Sequence, residues 1–154
     1  MSDTKATADT ELRIERLVAA PVEQVFSYWT DPNLLVKWWG PEGCSIPASA
    51  FDLRPGGLWT TTMSWPDGNK ATVSGIYRTI DPPRRLEFTW AWNDDNGLRG
   101  HETVVTITCD PAPGGTRLVL FQREFLTKER RDQHNTGWTS SFNKIERMPI
   151  IAGG

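Results

Sequence analysis

The hydrophobic pattern of this chain switches from a period of two to a helical period late in the sequence, and that switch limits the fold more than any other feature. From about Ala48 to Phe125, apolar and polar residues alternate in short runs, separated by turn signals such as Pro-Asp-Gly-Asn at 66–69. From Thr127 the apolar residues recur at steps of three and four as far as Met148. The sequence therefore predicts a series of strands followed by one long helix that Thr127 caps.

Before this series the chain carries one more strand and two short helices. Alternation from Glu11 to Val18 predicts the strand. Pro21 is expected at the first position of a helix, because proline has no N–H to lose there. Asp31 is expected to cap a second helix that ends at Gly40.

The predicted order is one strand, two helices, six strands and a long helix (β-α-α-β-β-β-β-β-β-α). The strands are joined by hairpins, so the fold class is α+β with a mainly antiparallel sheet. A helix over 128–148 would span roughly 30 Å, which is about the width of seven strands. We therefore expect a curved seven-stranded sheet around the C-terminal helix, in a single domain over 11–149, with a disordered tail at 1–10 and a tail at 150–154.

Bulk composition excludes several classes of protein. The chain has 17 basic and 19 acidic residues, a balance that argues against nucleic-acid binding. Its apolar runs are only a few residues long, as at 34–36, whereas a membrane span needs about 20. The polar first ten residues predict a cytoplasmic protein. Cys44 and Cys109 form no CxxC pair, so reduced thiols and no metal site are expected.

Tryptophan is the unusual residue, since it accounts for 8 of the 16 aromatic side chains. Strand alternation and helical spacing place one set of residues inside the sheet, where they either fill a core or wall a cavity for a hydrophobic small molecule. This set is Trp59, Thr61, Met63, Tyr77, Phe88, Trp90, Thr103, Val105, Leu118 and Leu120 from the strands, with His134, Trp138 and Phe142 from the helix. Trp38 and Trp39 are expected at the rim, with Trp38 packed into the core and Trp39 at the mouth or in an oligomer contact.

Two features of the last helix need an explanation. Gly137 lies inside the helix, where glycine costs about 0.5–1 kcal/mol relative to alanine. Either a strand passes close by or space is left there for a ligand. The charged run at 129–132 predicts a solvated helix face.

The two histidines are the candidates for acid–base chemistry. His134 lies one turn before Trp138, and it is either a hydrogen-bonded core residue or, with Glu124 or Tyr77 nearby, a group that polarises a carbonyl. His101 adjoins an acidic residue, but neighbours on a strand face opposite sides, which favours a surface or loop-anchoring role. No matched set of catalytic groups is predicted.

Several short segments together resemble one family. They are 20–26 (Ala-Pro-Val-Glu-Gln-Val-Phe), 38–41 (Trp-Trp-Gly-Pro), 54–57 (Arg-Pro-Gly-Gly), 75–77 (Gly-Ile-Tyr), 82–90, 115–118 (Gly-Thr-Arg-Leu) and 137–138 (Gly-Trp). The chain resembles bacterial single-domain relatives of the C-terminal domain of the activator of the ninety-kilodalton heat-shock-protein ATPase. That family lies in the START-like, birch-pollen-allergen superfamily. Gln122 stands where the family often has histidine. In the family the C-terminal helix is usually followed by a leucine-rich end, whereas here the helix stops at Met148.

The resemblance implies a helix-grip fold and a cavity-containing domain, without a cofactor, that binds a lipid- or polyketide-like molecule. It leaves two alternatives open. One is a chaperone-associated stress-response protein that contacts the chaperone. The other is a cyclase- or hydrolase-type enzyme that uses His134 or His101. A homodimer is the expected oligomer, since two-fold assemblies are the commonest kind.

Overall fold

The computed structural model describes residues 9–40, 43–94 and 96–148. Its elements in chain order are β1 (Leu12–Val18), α1 (Val22–Thr30), α2 (Pro32–Trp38), β2 (Ser45–Phe51), β3 (Leu58–Ser64), β4 (Lys70–Asp81), β5 (Arg85–Trp92), β6 (Thr103–Ala112), β7 (Gly115–Arg123) and α3 (Lys128–Glu146). The predicted tail at 150–154, and all but two residues of the one at 1–10, lie outside the described residues. No helix in the described ranges is long and apolar enough to cross a membrane.

The seven strands form one antiparallel sheet in the order β1-β7-β6-β5-β4-β3-β2. Strands β2 to β7 are successive neighbours, as expected for hairpin-connected strands. Strand β1 instead pairs with β7, with Leu12 opposite Gln122 and Val18 opposite Thr116. The predicted α+β helix-grip fold is therefore confirmed.

Two of the three helices begin where the sequence predicts. The Asp31 carboxylate accepts a hydrogen bond from the Asn33 N–H at 3.0 Å, and the Thr127 hydroxyl accepts one from the Arg130 N–H at 3.1 Å. The prediction for Pro21 is wrong by one position. Its ψ of 155° is extended, so Pro21 is the N-cap and α1 begins at Val22.

The core lies on one face of the sheet, under the three helices. Every strand residue predicted to point inward is buried, because alternate residues of a strand face the same side. From α3 the buried residues are Trp138, Ser141, Phe142 and Ile145.

Two contacts hold α3 across the sheet next to β1. Near its C-terminal end, Arg16 of β1 donates to Glu146 at 2.9 Å and to Asn143 at 3.2 Å. Near its N-terminal end, the Arg131 guanidinium donates to the Glu11 carbonyl at 3.0 Å. Both ends of the helix are therefore tied to the chain at β1.

Candidate functional site

A cavity of about 390 Å³ lies between α3 and strands β3 to β5, and we call it the tryptophan cavity. Five of the chain's eight tryptophans line it. The described residues that line it are Trp39, Gly40, Met63, Trp65, Ala71, Trp90, Trp92, Asn93, Arg130, Gln133, His134, Gly137, Trp138 and Ser141. The cavity reaches the surface at Arg130 and Gln133, which are exposed.

The helix wall of the cavity is one face of α3. Arg130, His134, Gly137 and Ser141 follow one another at steps of four, three and four residues, so they share that face. At 1.5 Å per residue the row is roughly 16 Å long. Gly137 lies in its middle, where a missing side chain widens the space between helix and sheet. Gly137 could be explained by a strand passing close to the helix or by space left for a ligand. The structure favours the second explanation.

The opposite wall comes from the sheet and from the end of α2. Met63 and Ala71 are cross-strand partners, and both line the cavity. Gly40 adopts a φ of +83°, and a Cβ there would lie 2.9 Å from the Cys44 sulfur. The chain can therefore turn sharply after α2 only with glycine at this position.

This turn carries Trp39 into the interior, where it is only 4% exposed. Its ring lies 5.9 Å from that of Trp59, 5.8 Å from Trp90 and 5.9 Å from Trp138. The prediction that Trp39 lies at the rim is wrong, because the turn folds the ring inward. Trp38 is also fully buried, and its indole N–H donates to the Tyr28 carbonyl at 3.0 Å.

His134 is held by two hydrogen bonds that determine its tautomer. Its Nε2 lies 2.9 Å from Trp92 Nε1, which can only donate, and its Nδ1 lies 2.8 Å from the Arg130 carbonyl, which can only accept. The proton is therefore on Nδ1 and the ring is neutral. Burial lowers the pKa of His134 and so favours the same state. The expected partners, Glu124 and Tyr77, do not contact this ring through a hydrogen bond.

A second cavity of about 210 Å³ adjoins the first. The two share Trp90, Trp92, Asn93, Arg130 and His134 in their linings, so the Trp92–His134 hydrogen bond joins sheet to helix where the cavities meet. His101 lines this second cavity, and its ring is hydrogen-bonded to the Glu124 carbonyl. His101 therefore has the loop-anchoring role that the sequence favours.

Several residues predicted as cavity lining lie instead in solid core. Trp59, Tyr77 and Phe88 surround a void of about 10 Å³, which is at the lower limit for one water molecule. The remaining ones, which are fully buried and do not line the tryptophan cavity, are Val105, Leu118, Leu120 and Phe142. Alternation identifies the inner face of a strand, but it does not tell where along that face the helix stands away.

Met63, Trp90, His134 and Trp138 are predicted as cavity lining, and all four line the cavity. Most polar and small lining residues are not predicted from the sequence, and Arg130 is predicted on a solvated helix face. The missed residues are Gly40, Trp65, Ala71, Trp92, Asn93, Arg130, Gln133 and Ser141. The row of polar and small residues around Gly137 on α3 is the sequence pattern from which the helix wall of the cavity could have been predicted.

Gln122 joins the sheet to the helix at the base of the site. It is fully buried, its Nε2 donates to the Thr103 hydroxyl at 2.7 Å, and its Oε1 accepts from Trp138 Nε1 at 2.8 Å. Gln122 therefore has a polar role, which is to hold the Trp138 ring.

In the described ranges, no three His, Cys, Asp or Glu side chains come together as a set of metal ligands. Two buried indole N–H groups that belong to lining residues, those of Trp39 and Trp90, have no hydrogen-bond partner in this part of the chain. Ser141, a residue only 2% exposed, adds a hydroxyl group to the lining. The site is therefore mostly aromatic, with a few polar groups left unpaired.

Comparisons with known proteins agree with this fold. Residues 19–148 match the family described as Activator of Hsp90 ATPase homolog 1-like protein. The AHSA1 protein of Silicibacter pomeroyi is similar at 38% identity and a TM-score of 0.82, over 89% of this chain and 95% of that one. A Mycobacterium smegmatis protein is similar at 28% identity and a TM-score of 0.80, over 99% and 98% of the two chains. A search of curated proteins finds no match.

Proposed function

This chain belongs to the Activator of Hsp90 ATPase homolog 1-like family, and we propose that it is a small-molecule-binding domain whose ligand occupies the tryptophan cavity. The observation that carries this proposal is the cavity of about 390 Å³ with five tryptophans in its wall. Sites for small molecules are commonly concave, about 300–1,000 Å³ in volume, and mostly apolar with a few polar groups. The ligand is therefore mainly hydrophobic, in keeping with a lipid- or polyketide-like molecule.

The packing of the rest of the core supports this proposal. The aromatic residues deeper in the sheet leave a void of only about 10 Å³, so aromatic content alone does not open a space in this fold. The large cavity occurs where α3 carries glycine and serine in place of large side chains. That placement is typical of a binding site that the helix leaves open.

The neutral dye N-phenyl-1-naphthylamine tests the proposal, since its emission rises in apolar surroundings. Ala71→Phe places a ring in the cavity and is expected to reduce dye binding strongly. The matched control is Thr60→Phe, at an exposed position of the neighbouring strand, which should bind the dye as the unchanged protein does. Equal binding by both variants, or no binding by the unchanged protein, would contradict a ligand site here.

The other two functions have less support from the site. A general base needs a free lone pair, whereas His134 Nε2 already accepts from Trp92. The chaperone-associated function is supported only by the description of the family. Contact with a chaperone, a homodimer and a cytoplasmic location therefore stay predictions.

A further inference from the structure

The tryptophan cavity has different polar groups at its two ends. We propose that its ligand is an elongated organic acid, with the anionic group at Arg130, the apolar body along Gly137, and a hydrogen-bonding group at Ser141. This inference rests on the proposed function, because it names the chemical class of the ligand for the same cavity.

Arg130 supplies the positive charge at the mouth. Among the described residues, its guanidinium is the only charged group that lines the tryptophan cavity, and it has no ion-pair partner there. Nine other arginines form ion pairs with carboxylates: Arg13, Arg16, Arg54, Arg78, Arg84, Arg85, Arg99, Arg123 and Arg131. An unpaired guanidinium beside an apolar cavity matches a carboxylate, which it can bind through two parallel hydrogen bonds.

The backbone at Arg130 is fixed, so the guanidinium starts from a defined place. Its N–H donates to the Thr127 cap and its carbonyl accepts from His134 Nδ1. Among the described residues, one carboxylate lines the adjoining cavity, that of Asp94, and its Oδ1 accepts hydrogen bonds from the backbone N–H groups of Asn96 and Leu98. Asp94 does not line the tryptophan cavity itself, so the charge in the described lining of that cavity is positive.

Ser141 supplies the polar group at the inner end. The residue is 2% exposed and lines the cavity. A serine hydroxyl both donates and accepts hydrogen bonds, so a ligand that fills this end of the cavity needs a polar group to pair with it. A hydroxyl or carbonyl oxygen of the ligand meets this need.

The spacing of these groups sets the shape of the ligand. Arg130 and Ser141 lie at opposite ends of a helix row roughly 16 Å long, and Gly137 between them has no side chain. Trp90, Trp92 and Trp138 line the same length of the cavity with aromatic surface. A rigid, flat body with polar groups at both ends fits this arrangement.

The probe is 4′-hydroxybiphenyl-4-carboxylate, compared with its carboxamide and with biphenyl-4-carboxylate, by titration calorimetry at low and high salt. We expect the acid to bind roughly three- to tenfold more tightly than the amide, because the amide lacks the charge. This preference should disappear in Arg130→Gln, remain in Arg130→Lys, and shrink at high salt. Arg117→Gln is the matched control, since it removes an exposed arginine outside the cavity.

The inner end has its own comparison. Ser141→Ala should weaken binding of the hydroxylated acid by roughly two- to tenfold and leave biphenyl-4-carboxylate unaffected. Equal binding of acid and amide, or a preference that survives Arg130→Gln, would overturn the inference while leaving the proposed function in place. If none of the three probes binds and the neutral dye also fails to bind, the proposed function itself falls.

Discussion

Gln122 is the most instructive residue to change, because one buried amide serves two elements. Gln122→Met keeps the length of the side chain but removes both hydrogen bonds. The indole N–H of Trp138 then has no acceptor, which costs about 1–3 kcal/mol, and the lost bond to Thr103 costs another 0.5–1.5 kcal/mol or so. Thr103 keeps its bond to the Trp90 carbonyl. We therefore expect the free energy of unfolding to fall by about 2–4 kcal/mol.

The measurement is urea unfolding followed by far-UV circular dichroism, which does not depend on the tryptophan signal. Gln133→Met, at an exposed position of α3, is the matched control and should change stability by less than about 0.5 kcal/mol. The double variant Gln122→Met with Trp138→Phe has no indole N–H to leave unpaired. It should therefore be more stable than the sum of the two single changes predicts, by at least about 1 kcal/mol.

Two results would refute this reasoning. One is a loss of stability no larger than that of the control. The other is strict additivity in the double variant, which would mean that Gln122 and Trp138 do not depend on each other. A change in the urea dependence itself would indicate an altered unfolded state and would call for a different explanation.

Three further predictions concern the helix and the thiols. Gly137→Ala should raise the free energy of unfolding by about 0.5–1 kcal/mol through helix propensity and weaken binding of N-phenyl-1-naphthylamine, which urea titration and dye titration measure together. Since burial lowers the pKa of His134 below its ordinary 6.5, the unfolded chain takes up a proton there first as the pH falls. The stability from this group is therefore full above about pH 6.5 and decreases below it. The fall in urea midpoint between pH 7.5 and 5.5 should be smaller in His134→Phe, and an equal fall would exclude this residue as its source. Burial raises the pKa of Cys109 to about 12, so Ellman's reagent should label the half-buried Cys44 in the folded protein and both thiols in urea; rapid labelling of Cys109 without urea would contradict this.

The fold follows from local patterns that the sequence shows directly. Alternation identifies the inward face of each strand, and Asp31 and Thr127 mark helix starts because a side-chain oxygen must satisfy a free N–H there. The one-residue error at Pro21 has a local cause. The fixed φ of proline suits both the cap and the first helical position, so only ψ separates the two.

The site is less predictable, because it depends on distances between elements. Tyr77 and Trp90 both point inward, yet only Trp90 lines the cavity, since α3 stands away from the sheet along just part of its length. The burial of Trp39 depends on a turn at Gly40, and the side-chain period does not reveal it. Arg130 is charged and lies in a charged run, as surface residues commonly do. Only the small and polar residues that follow it on the same helix face indicate that it borders an opening.

The pairing of β1 with β7 also has a consequence for how the molecule is made. Leu12 and its partner Gln122 are about 110 positions apart, so at 5–20 residues per second β1 waits roughly 5–20 s during synthesis for its neighbour to emerge. Helix α3 emerges later still. Through that interval the sheet exposes the apolar face that carries its tryptophans, and contacts this distant in sequence also form slowly. The nascent chain is therefore most open to aggregation, and to capture by folding helpers, just before the binding cavity closes.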